Sequence, residues 1–186
     1  MSAKLTEETV KALYATLSQT FLTQKDVLNK LAASADNPTY GDTLKQAFED
    51  AEKTVLGVDN PDPGSVMAAG ARALKTDAEP LLPFLLFELG KACSRENALT
   101  LSSFQEGLKN AVMSVVRVGG VRYGQGSLLD ALIPASERAH EAQDLSGALT
   151  QAAKVAGETA WQAKHPGMTS VALVLESLAQ VFGEAD

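Results

Sequence analysis

With 186 residues, 45% of them hydrophobic and 21% charged, the chain has the length of one domain and a globular balance of residue types. A chain of this length buries roughly two-thirds of the surface its unfolded form exposes, so one compact core is expected over residues 1–186. A formal charge of -7 and a pI near 4.9 argue against a nucleic-acid partner held by a basic field, and no apolar run reaches the ~18 residues of a membrane span.

The start, MSAKLTEETV, lacks the apolar segment and cleavage site of a secretory signal, and Cys93 is the only cysteine. A cytoplasmic protein without an internal disulfide is expected. Aromatic residues are only 5%, and no stretch alternates apolar and polar residues over strand length, so the fold class is all-α.

In chain order, Val10, Leu13, Tyr14, Leu17 and Phe21 predict a first helix from about Glu7 to Leu22. Thr23 suits the N-cap of a second piece carrying Val27, Leu28 and Leu31. A loop is expected over Ser34–Gly41, followed by a helix through Leu44, Phe48, Ala51 and Val55 that Gly57 ends in a left-handed cap. Pro63 suits a first helical position ahead of Val66, Ala69, Ala73 and Leu74. Pro80 is placed to open the next helix, with Pro83 still in its first turn. Leu81–Leu89 is apolar almost all round, which predicts the most buried helix.

Ser102 and Gln105 have capping-box spacing ahead of a stripe through Phe104, Leu108, Val112, Val115 and Val118 that ends at Gly119 and Gly120. A helix beginning near Ser127 contains Pro134, which should bend it. Asp144 is expected to cap an alanine-rich helix reaching about Lys164. His165, Pro166 and Gly167 make the last turn before Val171–Phe182. About eight helices in one antiparallel bundle or barrel follow.

The stretch from Tyr123 to Ala135, YGQGSLLDALIPA, joins a glycine-rich turn to a helix. It resembles the signature of the L subunit of dihydroxyacetone (glycerone) kinase, the DhaL family, where Gly-Asp-Lys-Thr-Met-Leu-Asp-Ala-Leu-x-Pro-Ala is typical. Gly124, Ser127, Leu129, Asp130, Ala131, Leu132, Pro134 and Ala135 match or are close. His165-Pro166-Gly167-Met168-Thr169-Ser170 resembles the family's Asp-Pro-Gly-Ala-x-Ser, and Leu101–Gly120 follows its helix and glycine turn. The resemblance implies an eight-helix barrel with a nucleotide, ADP or ATP with magnesium, at one end. It also implies phosphoryl transfer to dihydroxyacetone held by a separate K subunit. Gly41, Thr43, Gly124, Ser127, Leu128, His165, Pro166 and Gly167 fall at nucleotide-site positions. Glycines ahead of a helix let backbone N–H groups approach phosphate, which the positive helix end favours.

Three departures oppose that chemistry. The family holds two magnesium ions with three aspartates, and the matching region, Leu31–Phe48, puts Ala32, Asn37 and Thr39 at their positions and Tyr40 at a histidine. Alanine is no ligand, and asparagine and threonine offer neutral oxygens only. Asp36 and Asp42 are read as turn and capping residues. Over Thr76–Pro83 the family's phosphate-cradling glycines are absent, while Glu79 and Pro83 oppose anion binding. The basic loop ahead of His165 is missing, leaving only Lys164.

A noncatalytic DhaL-like domain with a binding or regulatory role is therefore expected, with no catalytic residue, metal or cofactor of its own. Its expected partner is a K-subunit-like protein or a second copy in a homo-oligomer. The alternatives are a functional L subunit and a helical barrel holding an apolar ligand. Trp161 is read as an anchor packing the shortened connection, Cys93 as a buried small apolar residue, and His140 has no assigned role.

Overall fold

The computed structural model describes residues 2–94 and 96–183, with the side chain of residue 35 also outside the description. Among these residues eight α-helices follow one another, α1 (Glu7–Ala32), α2 (Tyr40–Leu56), α3 (Pro63–Ala73), α4 (Pro83–Cys93), α5 (Leu101–Gly119), α6 (Leu129–Glu141), α7 (Leu145–Ala163) and α8 (Pro166–Phe182). Each packs on the next, and α8 closes the ring against α1. Short reversing connections therefore bring the C-terminal ends of α1, α3, α5 and α7 and the N-terminal ends of α2, α4, α6 and α8 to one end. Two short strands, β1 (Ser2–Lys4) and β2 (Ala98–Thr100), pair antiparallel with Ala3 opposite Leu99. They lie at the start of α1 and of α5, the opposite end of the ring.

The centre is filled by large side chains. Tyr14, Phe21, Phe48, Phe104 and Phe182 are fully buried, and Phe21 stacks on Phe48 across the α1–α2 seam with centroids 4.1 Å apart. The Tyr14 hydroxyl donates to the Met67 carbonyl at 2.7 Å, giving a buried polar atom the partner that burial demands. Cys93 is buried beside Ser103, and burial pushes its thiol up to about 11, as expected of a small core residue.

The all-α fold and eight helices agree with the periodicity, but several boundaries move. α1 is continuous through Thr23; the Thr23 hydroxyl donates back to the Gln19 carbonyl at 2.8 Å instead of capping a new helix, a bond that a helix interior tolerates. Gly57 ends α2 with right-handed backbone, so no left-handed cap forms there. α4 opens one turn later than expected, with Pro83 at its first position and Pro80 in the preceding turn. The most deeply buried helix is α8 rather than α4, because it lies between α7 and α1 and also touches α6.

The α5 capping box is Thr100 with Ser103 rather than Ser102 with Gln105. β2 delivers Thr100 in the extended conformation an N-cap needs, and Gln105 donates across to the Ala139 carbonyl at 2.9 Å. Val118 is exposed, outside the buried stripe of Phe104, Leu108 and Val115. α6 begins at Leu129 and continues through Pro134. Asp144 caps α7, accepting from the Gly147 N–H at 2.7 Å. Trp161 is 81% exposed, so it does not pack the α7–α8 connection. No helix among the described residues is long and apolar enough to cross a membrane.

Candidate functional site

Four helix N-termini converge at one end of the ring, and free helix N–H groups there would suit an anion. At the starts of α2, α6 and α8, side chains of the chain itself engage these N–H groups.

At α2, the Asn29 side chain of α1 accepts from the Gly41 N–H at 2.7 Å and the Asp42 N–H at 3.3 Å. Its amide nitrogen donates to Asp42 at 2.7 Å. That bond, with Lys25 assisting at 3.5 Å, holds the Asp42 carboxyl below the usual range. Gly41 is glycine because a Cβ there would run into the Lys25 carbonyl of α1. Thr43 donates its hydroxyl to the Thr39 carbonyl at 2.9 Å on the exposed side of α2.

The positions matched to metal-binding aspartates surround the same turn. Ala32 is the buried last residue of α1, Asn37 donates its N–H to the Ala32 carbonyl at 3.2 Å, and Thr39 precedes α2 without a side-chain cap. Asp36 takes left-handed backbone at φ 57°, a conformation aspartate tolerates. No group of three or more His, Cys, Asp or Glu side chains able to hold a metal occurs among the described residues.

At the glycine turn ahead of α6, Gly124 and Gly126 have φ of 80° and 69°, which glycine adopts without strain. Their N–H groups point at Asp130, which accepts from Gly124 at 2.5 Å, Gly126 at 2.9 Å and Ser127 at 3.4 Å. The Ser127 hydroxyl accepts from the Leu129 N–H at 3.3 Å, and Leu128 is buried at the start of the helix. The amides that face a phosphate under the resemblance thus face a carboxylate three to six residues further along.

At α8, His165 Nδ1 accepts from the Gly167 and Met168 N–H groups at 3.2 and 3.4 Å, and Pro166 takes the first helical position. Only a neutral imidazole can accept at Nδ1. Burial accordingly lowers the His165 pKa, with Asp130 partly opposing the shift. Against the same helix start lies a polar cluster that joins α2, α8 and the turn before α4. The Tyr40 hydroxyl of α2 donates to Glu79 Oε2 at 3.2 Å and lies 3.1 Å from Ser170 Oγ of α8; Ser170 donates to the Pro166 carbonyl at 3.0 Å. The Glu79 carboxyl sits against Gly167 so closely that a side chain there would collide with it.

Desolvation pushes Glu79 up to about 7, the Tyr40 bond partly opposing it. Burial first and the Glu79 charge second raise Tyr40 above its ordinary value. Near neutral pH this carboxyl therefore holds a proton a good part of the time and bridges the turn before α4 to α2 and α8. Sequence reasoning placed Glu79 and Tyr40 separately but did not join them, since they lie 39 positions apart. Asn29 carried no signal at all, being an ordinary polar residue inside a helical stretch.

The residues present do not fit a magnesium-bridged nucleotide. The aspartate-equivalent positions carry no carboxylate, the glycine-turn amides are engaged by Asp130, and Glu79 sets an acid where phosphate would approach the α8 end.

A closed ring of eight helices among the described residues defines the chain as an all-α helical barrel. The DAK2 domain family matches residues 40–170, and the chain belongs to that family, a DhaL-type domain. Among solved structures it is similar to the dihydroxyacetone kinase from C. freundii in complex with AMP-PNP and Mg2+, with a TM-score of 0.66 and 21% identity over 95% of this chain and 33% of that one. The native form of the same kinase gives a TM-score of 0.59 and 20% identity over 94% of this chain and 34% of that one. These likenesses show the fold, and the chain spans about a third of the kinase's length. No curated protein matches the chain in sequence.

Proposed function

We propose that residues 1–186 form one noncatalytic DhaL-like unit that acts in the cytoplasm as a binding or regulatory partner, with a K-subunit-like protein as the partner the family suggests. The observation that carries this reading is the Tyr40–Glu79–Ser170 cluster at the start of α8. A chain that phosphorylates needs positive and hard-metal groups around its phosphates; here an acid and two hydroxyls hold one another instead. Asp130 and Asn29 engage the neighbouring amides in the same way.

The alternative is a functional L subunit that transfers phosphate to dihydroxyacetone held by a K subunit. The glycine turn ahead of α6 supports it, because the Asp130 bonds would have only to open to expose an amide nest. Calorimetric titration with ADP and with AMP-PNP, each with and without magnesium, separates the two. The noncatalytic reading expects no magnesium-dependent binding and no turnover with purified K subunit and dihydroxyacetone. Tight binding that requires the metal, together with turnover, establishes the alternative. The reading of the barrel as a holder of apolar ligand is weakened by the aromatic filling of its centre, and native mass spectrometry of the purified chain tests it directly.

A further inference from the structure

Away from the polar end, the outer face of α8 forms the floor of a groove of about 290 Å³ between α1 and α7. Ala172 and Leu173 make the floor, with Ala160 of α7 beside them, all almost wholly buried. Val27, 48% exposed, and Leu31 form the α1 bank; Trp161, 81% exposed, stands on the α7 bank. An indole left this open costs apolar hydration that a core position would recover. The same face thus presents both a projecting aromatic and an apolar slot of the size to take one.

The charges of the groove are ordered. Lys164 lines one end, at the C-terminal cap of α7, and Glu176 lines the other, its carboxylate lying over Gly157. Glu176 stands ten positions beyond Pro166, about 15 Å along α8, and Trp161 falls between the two charges. Neither makes an ion pair among the described residues, whereas Lys154 and Glu158 next along α7 pair with each other. Burial without a cation raises the Glu176 carboxyl above its usual range.

We propose that this groove is a self-association face, at which a second copy of the chain lays its Trp161 into the slot and sets its Lys164 against Glu176 across a two-fold axis. A two-fold interface uses one patch on both subunits, so it must be complementary to itself. Here the knob and the hole share the face, and rotation about an axis crossing the groove between Lys164 and Glu176 brings the positive end of each groove over the negative end of the other. A face with one sign of charge at both ends would repel its own copy. The proposal does not rest on the state of the nucleotide end.

Sedimentation equilibrium of the full chain from about 1 to 500 µM, the range in which modest interfaces report, tests it. A monomer–dimer equilibrium is expected, with Trp161 emission shifting to the blue as the dimer fills. Trp161→Ala should weaken association about thirtyfold, as loss of a central aromatic anchor does. K164E and E176K should each weaken it alone, and an equimolar mixture of the two should restore it, since each mixed dimer regains two opposite pairs. All three residues are surface positions, and far-UV circular dichroism verifies that each variant is folded. A full chain that remains monomeric throughout, or a dimer that none of the three changes alters, overturns the proposal.

Discussion

At Glu79 and His165 burial shifts two ionisations in ways that oppose each other. Glu79 holds its proton to about pH 7 when folded, against an ordinary 4.5. The folded state therefore binds more protons between those values, and this group's contribution to stability falls as pH rises from 4.5 to 7. Glu79→Gln keeps the shape and removes the titration. It should be more stable than the parent at pH 8 by on the order of 1–2 kcal/mol, after allowance for partial exposure, and little different near pH 4.5. Urea denaturation at the two pH values reads the difference. His165 has the reverse sign: its folded pKa is depressed below 6.5, so the unfolded chain takes up the proton first and stability is lost as pH falls below 6.5. In NMR its imidazole should titrate at a pH below the unfolded value, and protonation should release the Gly167 and Met168 amides it caps.

At the level of elements, the α1–α2 crossing is set by Gly41. Its missing side chain lets α2 meet the Lys25 carbonyl of α1, and this closeness puts the Asn29 side chain within reach of the first α2 amides. Gly41→Ala should cost about 1–3 kcal/mol from overpacking and loosen those amides, which thermal unfolding and hydrogen exchange at Asp42 would report. The helices themselves were legible because Leu, Val and Ala recur at three and four residues. Caps read from local chemistry succeeded at Asp144 and Pro63, where the side chain or ring acts within its own turn. They failed at Thr23 and at Ser102, because the same residue types also serve in helix interiors and the strand that delivers Thr100 pairs with residues almost a hundred positions away. The candidate site was legible only in part: the sequence shows that Ala32, Asn37 and Thr39 carry no carboxylate. The contacts that do assemble there have long separation, such as Tyr40 with Glu79, which periodicity does not encode.

For the whole molecule, closure of α8 on α1 makes the first and last helices neighbours, so the core is complete only when both ends of the chain are folded. Leu175→Ala, at a fully buried position of α8, should cost about 2–5 kcal/mol while unfolding stays a single transition. Circular dichroism and tyrosine absorbance should move together, Tyr14 being buried on α1. The ring also fixes where the described chain enters and leaves. β1 runs alongside β2, and the Leu5 N–H bonds the Asn97 carbonyl at 3.0 Å. At the other terminus the Ser146 hydroxyl donates to the Gly183 carbonyl at 2.8 Å. Both ends of the described chain therefore lie at the same rim, about 25 Å of helix away from the Tyr40–Glu79–Ser170 cluster. A surface anchor or fluorescent tag joined beyond either described end would hold the molecule upright with that cluster facing the solution, so immobilised binding measurements can interrogate it without obstruction by the attachment.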